Sequence, residues 1–286
     1  MKTGFIGLGN LGRAIAGRLV SQHIPLVVWN RTRGKEIGLG AVVAESPRSL
    51  AAGVEAVILN LFDSEAVAEV LTGADGVLQA ECKGLLIIDT TTNHFGKVNE
   101  FHRAARDRGA HYLEAPVLGS VIPASQGALT VLVSGERTTF DDARPLLELI
   151  GKQIFFLGTP GLASKMKLVN NMVLASFMAT LAEAAVIGEA SGIGRDKALE
   201  ILAAGGGNST VLNVKKEKLL REDFAPHFSS RALAKDLRYL QDLADELHRP
   251  TVAGTSVSPL YDKAIAAGDG DLDFSAVFKV LQHLDS

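Results

Sequence analysis

Lys167 and Asn171 have the most chemistry to offer in this sequence. They lie in the run 161–171, Gly-Leu-Ala-Ser-Lys-Met-Lys-Leu-Val-Asn-Asn. Positions four apart share a helix face, so an ammonium and a carboxamide project together. Lys165, two residues earlier, points elsewhere. A charge on a largely apolar helix is costly without a ligand or partner. A lysine so placed can donate a proton to a carbonyl oxygen as hydride arrives at the carbon, and the amide can orient the lysine or the substrate. On spacing alone, a Lys167 that snorkels or pairs with a carboxylate explains the residues equally well.

A second run, Gly7-Leu8-Gly9-Asn10-Leu11-Gly12, follows the apolar segment 3–6 and opens a helical pattern. The first glycine permits a tight turn, the second lets backbone approach a pyrophosphate, and the third allows close packing of helix on strand. The helix start supplies N–H groups and the positive end of a dipole. With a strand before and a helix after, these six residues read as a dinucleotide site. The bland alternative is a glycine-rich turn that binds nothing.

The next strand ends in Trp29-Asn30-Arg31-Thr32, where an acidic residue would accept bonds from the ribose hydroxyls of NAD. Arg31 can instead clasp a 2′-phosphate, so NADP(H) is the expected cofactor, with Asn30, Arg31 and Thr32 around that phosphate. Arg33 and Lys35 read more readily as solvated loop charges. Ligands of open α/β sheets lie beyond the carboxyl ends of strands. Two further segments meet that condition, 60–63 with Leu61 and Phe62, and 89–93 with Thr92. Hydroxyls of the second can reach a nicotinamide ribose or a substrate, although threonines at strand ends also serve as turn and capping residues.

The elements that position these residues fall into two regimes. Candidate strands at 3–6, 26–29, 56–60, 85–89, 111–114, 129–134 and 153–157 alternate with helical patterns such as 11–22, 64–71 and 98–108, as parallel-sheet proteins require. Beyond Thr159 the strand signal nearly vanishes, and helical segments are expected at 161–191, 195–204, 209–220, 229–247, 251–267 and 274–283. The Gly-Thr-Pro-Gly cluster at 158–161 marks the boundary. The fold class is α/β: a Rossmann-type, doubly wound N-terminal domain over 1–158, then an all-α domain over 159–286, with the active site expected in a cleft between them. The helix after the boundary, at about 45 Å for about 30 residues, is too long and apolar for one small domain to cover. It is expected to be a shared spine.

Bulk properties exclude several classes. A hydrophobic content of 47% and a charged content of 21% suit a soluble globular chain. A net charge of −3 leaves no basic excess for nucleic acid. The single cysteine, Cys82, excludes an intrachain disulfide and fits a reducing compartment, expected to be the cytoplasm. Strand and turn begin at residue 3, which leaves no room for a signal peptide. The stretch 172–187 is broken by Glu183 and preceded by lysines and asparagines, so a buried helix is expected rather than a membrane span. None of the seven histidines has metal-ligand spacing, and no metal is expected. Ser134-Gly135 lacks the frame of a nucleophile elbow.

The chain as a whole resembles the β-hydroxyacid dehydrogenase family, which includes 3-hydroxyisobutyrate dehydrogenases, tartronate semialdehyde reductases and glyoxylate/succinic semialdehyde reductases. The pieces that carry the resemblance run in order from end to end: Gly4-Phe-Ile-Gly-Leu-Gly-Asn-Leu-Gly12, Asp89-Thr-Thr-Thr92, Glu114-Ala-Pro-Val-Leu-Gly-Ser120, Lys167-Leu-Val-Asn-Asn171 and Lys235-Asp236. Gly270-Asp-Leu-Asp-Phe-Ser275 and Asn30-Arg31-Thr32 are similar to the glyoxylate/succinic semialdehyde reductase branch.

The resemblance implies Lys167 as general acid with Asn171 beside it, Thr92 on cofactor and substrate, and Lys235 near the nicotinamide. It also implies a substrate carboxylate held at the 116–120 loop by Gly119 and Ser120. A 6-phosphogluconate dehydrogenase-like C-terminal domain and a homodimer or homotetramer follow from the same likeness. The implied reaction interconverts a small aldehyde acid and its hydroxy acid. Leu118 departs from the family, since many members carry serine there, and this weakens the substrate assignment. Taken alone, Lys235-Asp236-Leu-Arg238 reads as a charged helix face with local ion pairs. Two rivals remain, an imine reductase on the same scaffold and a non-catalytic NADP-binding module. Lys167 counts against the first, because aspartate or tyrosine usually stands there in imine reductases.

Overall fold

Phe5 and Ile6 are adjacent on one strand and enter different cores. That alternation, with both faces covered, makes the strands read as unbroken apolar runs. In the computed structural model, which describes residues 1–284, the elements in chain order are β1 (Thr3–Ile6), α1 (Asn10–Ser21), β2 (Leu26–Trp29), β3 (Val42–Val43), α2 (Pro47–Ala51), β4 (Ala56–Leu59), α3 (Ser64–Thr72), β5 (Leu86–Asp89), α4 (Phe95–Asp107), β6 (His111–Glu114), β7 (Val117–Leu118), α5 (Val121–Ser125), β8 (Leu129–Ser134), α6 (Arg137–Ile150) and β9 (Gly151–Gly158). They form one nine-stranded sheet in the order β3-β2-β1-β4-β5-β6-β8-β7, with β9 also paired to β8.

On one face Phe5, Val28, Ile58 and Ile88 pack with Ile15 and Leu19 of α1 and Leu147 and Ile150 of α6. On the other, Ile6, Leu59 and Ile87 pack with Val67 and Leu71 of α3 and Val98 and Phe101 of α4. Each such side chain, fully buried, is worth about 1.5–3 kcal/mol.

The expected alternation holds from β3 to β6, where every pairing is parallel. It then fails: β8 runs antiparallel to both β6 and β7, and the sheet is mixed. The chain between β6 and β8 is taken up by β7 and the five-residue α5. No crossover helix remains to bring β8 back parallel. The strand order reverses direction at β1 and β4, the switch point beyond which such sheets bind ligands.

After β9 come α7 (Leu162–Ala190), α8 (Arg195–Ala204), α9 (Thr210–Arg221), α10 (Ser230–Glu246), α11 (Val252–Ala266), a 3-10 turn (Phe274–Ala276) and α12 (Val277–Gln282). The chain divides into two compact units, Met1–Lys167 and Leu168–Ser286. In the second, the Tyr261 hydroxyl donates to the Ala175 carbonyl at 3.2 Å. Lys215 Nζ meets Asp273 at 2.7 Å, both buried, and losing either partner would strand a charge at a cost of about 3–5 kcal/mol. Ser209 and Ser229 cap α9 and α10 as sequence rules anticipate.

By length and composition α7 could cross a membrane, yet Ala175, Met178, Ala182 and Ala185 are buried. The expected buried helix is thus found, with one face in the core. Val169, Val173, Phe177 and Ile187 lie exposed on the other.

Candidate active site

Gly7 has φ +100°, and a methyl group there would collide with the Asn60 carbonyl at the end of β4. A methyl on Gly12 would collide with the Gly7 carbonyl. The turn is therefore as tight as the packing of α1 against β1 allows. Gly9 is different. It is the N-cap of α1, with no side chain capping it, and a Cβ there would meet nothing within 4 Å. This open backbone cradle at a helix start fits a pyrophosphate, and the residues around it are Leu8, Asn10 and Leu11.

Asn30 joins this turn to the end of β2. Its Oδ1 accepts the Leu8 N–H at 2.8 Å and its Nδ2 donates to the Thr32 carbonyl at 2.7 Å. Both ends of that amide are thus engaged by the protein, and Asn30 shapes the site from within. Arg31 and Thr32 are exposed, and Arg31 has no hydrogen-bond or ion-pair partner among the described residues. Arg33 is an exposed loop charge, and its guanidinium also donates to the Ala44 and Glu45 carbonyls at 3.1 Å each. The Arg13 guanidinium donates to the Lys35 and Ile37 carbonyls. Of these three arginines, Arg31 is the one whose guanidinium meets no partner among the described residues.

A buried carboxyl organises the next two loops. Asp89, at the end of β5, accepts from Thr91 N–H at 2.9 Å, Asn93 Nδ2 at 2.8 Å and the Tyr112 hydroxyl at 2.6 Å. Burial lifts its carboxyl above the usual range, and burial with the nearby Asp89 lifts the Tyr112 phenol well above its own. The loop this fixes holds the other: Thr91 Oγ1 accepts the Leu61 N–H at 2.9 Å, and Thr90 Oγ1 accepts from Asn60 Nδ2 at 2.9 Å. Two of the three threonine hydroxyls are therefore structural. Thr92 is half-buried in the same loop, and Phe62 is exposed beside Leu61.

Between β7 and α5, Gly119 is exposed and Ser120 half-buried; Ser120 is the N-cap of α5, and its hydroxyl makes no capping bond. Leu118, also half-buried, pairs with Thr130 of β8.

The lysine helix is anchored at its start by two cross-strand neighbours, Glu114 and Ser134. Glu114 accepts the Gly161 N–H, the Ser164 N–H at 2.9 Å and the Ser164 hydroxyl at 2.6 Å. Ser134 Oγ accepts the Ala163 N–H at 3.0 Å. Orphan donors of the first turn of α7 are thus satisfied by the sheet. Burial raises the Glu114 carboxyl above the normal carboxylate range. Lys165 lies over the Phe95 ring at 5.1 Å, away from the Lys167 face as its spacing implied. Lys167 is only 8% exposed.

In the second unit Asn171 is buried and doubly oriented. Its Oδ1 accepts from Asn170 Nδ2 at 3.1 Å and its Nδ2 donates to Asp236 Oδ2 at 2.6 Å. Lys235 Nζ stands 3.0 Å from Asp236 Oδ1, within ion-pair reach but off the line of a hydrogen bond, so Oδ1 accepts none. The Lys235 ammonium also lies 5.1 Å from the Tyr239 ring centre. The charged helix face with local ion pairs expected at 235–238 is present in its pairing, Lys235 with Asp236 and exposed Arg238 with Asp262, but Lys235 and Asp236 are buried, at 6% and 1% exposed. Asp236 as the partner of Asn171, and Glu114 as the cap of α7, escaped the sequence reading. Both residues stand in motifs that carry the family resemblance, but nothing in the sequence names their partners. No group of three metal-ligating side chains occurs among the described residues.

Residues 2–158 match the family described as the NAD binding domain of 6-phosphogluconate dehydrogenase. Residues 161–281 match the NAD-binding family of NADP-dependent 3-hydroxyisobutyrate dehydrogenase. The 6-phosphogluconate dehydrogenase likeness therefore attaches to the N-terminal part by description, and the 3-hydroxyisobutyrate dehydrogenase likeness to the C-terminal part.

Among curated relatives, the cytokine-like nuclear factor N-PAC of Mus musculus is 34% identical over 99% of this chain, but the chain spans only 51% of that protein. Glyoxylate/succinic semialdehyde reductase 1 of Arabidopsis thaliana is 33% identical, with 99% of both chains covered. The solved 3-hydroxyisobutyrate dehydrogenase of Salmonella typhimurium superposes with a TM-score of 0.91 at 26% identity, covering 98% of this chain and 99% of that one. An imine reductase of Myxococcus stipitatus shares the fold at a TM-score of 0.67 and 22% identity, covering 98% of this chain and all of the other. A nucleotide turn at one end, a buried lysine helix in the middle and relatives matched along the whole length lead to one assignment: the chain belongs to the NAD(P)-dependent β-hydroxyacid dehydrogenase family.

Proposed function

We propose that this protein is an NADPH-dependent reductase of small aldehyde acids of the glyoxylate, succinic semialdehyde or tartronate semialdehyde type, yielding the hydroxy acid. The observation that carries the reading is Lys167, an amine kept almost wholly from solvent on a helix whose next turn bears an oriented carboxamide. When bound, NADPH supplies the hydride. Lys167 donates the proton to the developing alkoxide and is recharged from water, which leaves an alcohol at the former carbonyl carbon. Asn171 holds the substrate or the lysine in place, fixed in turn by Asp236. Gly119 and Ser120 bind the substrate carboxylate, Thr92 contacts cofactor and substrate, and Lys235 serves the nicotinamide end. Leu61 and Phe62 line the cofactor with the 7–12 turn.

Arg31, exposed and without a partner among the described residues, supports NADP(H) over NAD(H), with Thr32 beside it. That preference supports reduction as the working direction. Residues 1–158 then act as the NADP-binding domain, and 159–286 supply Lys167 and Asn171. The exposed apolar residues of α7 support a homodimer, as the unit or as half of a tetramer. Cys82, buried and unpaired, suits the cytoplasm.

The test is NADPH consumption over glyoxylate, succinic semialdehyde, tartronate semialdehyde and methylmalonate semialdehyde, with a cyclic imine beside them. Turnover of an aldehyde acid that falls about 10²- to 10⁴-fold in Lys167→Ala is the expected result. A second reading is a dinucleotide-binding module without chemistry, since a relative as similar as the reductase carries the name of a nuclear factor and not of an enzyme. NADPH binding with no turnover of any substrate in the panel would favour it.

A further inference from the structure

We infer that Glu114 is a positioning residue for Lys167, tying the start of α7 to the end of β6 so that the amine is held at a fixed point. The inference rests on the proposed role of Lys167. Every contact that carries it lies within the first unit.

Glu114 is 1% exposed, yet among the described residues it faces no lysine or arginine within ion-pair distance; its three partners there are the Gly161 N–H, the Ser164 N–H and the Ser164 hydroxyl. A carboxyl is an expensive group to bury for capping alone: Ser46, Ser209 and Ser229 cap helix starts here with hydroxyls, and Asp63, which caps α3 with a carboxylate, is only half-buried. A carboxylate has a property that those hydroxyls lack. Two oxygens on a rigid plane accept from donors three residues apart, Gly161 and Ser164, and so fix both position and rotation of the first turn. Lys167 follows Ser164 by three residues, on the next turn of the same helix. Ser134, the cross-strand partner of Glu114, takes the Ala163 N–H. The peptide unit after Glu114 opens the segment that leads to Gly119 and Ser120. One side chain thereby links the strand end that starts the substrate loop to the helix that carries the proton donor.

The experiment compares Glu114→Gln with the wild-type holoenzyme. Glutamine keeps the shape but can accept at one oxygen only, and its NH₂ group opposes a donor. The expected result is kcat lower by about ten- to a hundred-fold, since small misplacements of a catalytic group have effects of that order, with KM for the aldehyde acid and Kd for NADPH within about two-fold. Amide hydrogen exchange of NADPH-loaded protein across 161–168 should quicken at the same time. Wild-type kcat, or unchanged exchange in that segment, overturns the inference. So does a loss of kcat that follows NADPH affinity and melting temperature downward together.

If Glu114→Gln does not fold, the Ser134→Ala/Ser164→Ala double variant carries the test. It leaves the carboxyl in place and should show faster exchange over 161–168 with kcat reduced about three- to ten-fold; wild-type behaviour in both overturns the idea. A Lys167→Ala variant that still turns over substrate would sink the proposed function instead, and a panel without turnover leaves the exchange measurement to decide on Glu114.

Discussion

Asn171 donates its side-chain amide to Asp236 across 65 positions of sequence, at 2.6 Å and with both residues buried. The bond fixes which end of the carboxamide faces the helix surface, because its oxygen is already bound by Asn170. Asn171→Asp places two carboxylates where one hydrogen bond stood. The two buried carboxylates would share one ammonium, Lys235, which already faces Asp236, so ionising both leaves one uncompensated and the last proton of the pair is held to a higher pH than in the unfolded chain. The sign then follows: a carboxyl raised in the folded state favours folding at low pH and loses that advantage as pH rises through the raised value. The variant should melt closest to wild type near pH 5 and fall progressively below it toward pH 8. A melting-temperature difference that is flat across that range would contradict the geometry.

Arg31→Asp tests cofactor choice. The side chain is exposed and has no partner among the described residues, so its removal disturbs none of their contacts. A charge-assisted contact to phosphate is worth about 1.5–3 kcal/mol, so NADPH affinity should drop about ten- to a hundred-fold, and more if the new carboxylate repels the phosphate. NADH affinity should be unchanged or improved. Fluorescence titration with both cofactors reads the ratio directly, and an unaltered ratio would remove Arg31 from the site.

Asp89 predicts a pH effect on stability. Burial holds its carboxyl above the usual range in the folded protein, and the unfolded value is about 3.9. Its contribution therefore favours folding at acid pH and is lost as pH climbs from about 4 through the raised folded value. Asp89→Asn carries no charge to bury, so its melting temperature relative to wild type should improve with rising pH over that window. The same variant loses an acceptor for Asn93 or Tyr112, so below the window it should be the less stable of the two. A relative stability that worsens with rising pH would show that Asp89 is comfortably ionised in the fold.

How much of this was legible in the residues depends on how far apart the interacting groups lie. The 7–12 turn, and Lys167 with Asn171, announce themselves because their geometry is local: a glycine pattern within six residues, a spacing within one helical turn. Strands 3–6, 26–29, 111–114 and 129–134 coincide with β1, β2, β6 and β8 for the same reason. β3 and β7, two residues each, are too short to alternate, and the antiparallel return of β8 depends on a crossover that α5 is too short to provide. Glu114 and Ser164 are 50 positions apart, Asn171 and Asp236 65. No periodicity connects such pairs. A lone acidic residue in an apolar strand was the available hint that a distant donor must exist.

Phe177 tests the proposed oligomer. It is 47% exposed on α7, with Val173 one turn before it and Val169 one turn before that, also exposed. Residues at this spacing form an apolar stripe along one helix face, and a second copy offers the same stripe, the self-complementarity a two-fold interface requires. Since the side chain is half open in the single chain, Phe177→Asp should leave the helix and its buried face of Ala175, Met178 and Ala182 intact. Sedimentation should show a dimer or tetramer for wild type and a smaller species for the variant. Its melting temperature should become independent of protein concentration, as it must when association no longer contributes to stability. If wild type sediments as a monomer, the open face of α7 serves no second copy and the oligomer proposal falls, while the roles given to Lys167 and Arg31 are untouched.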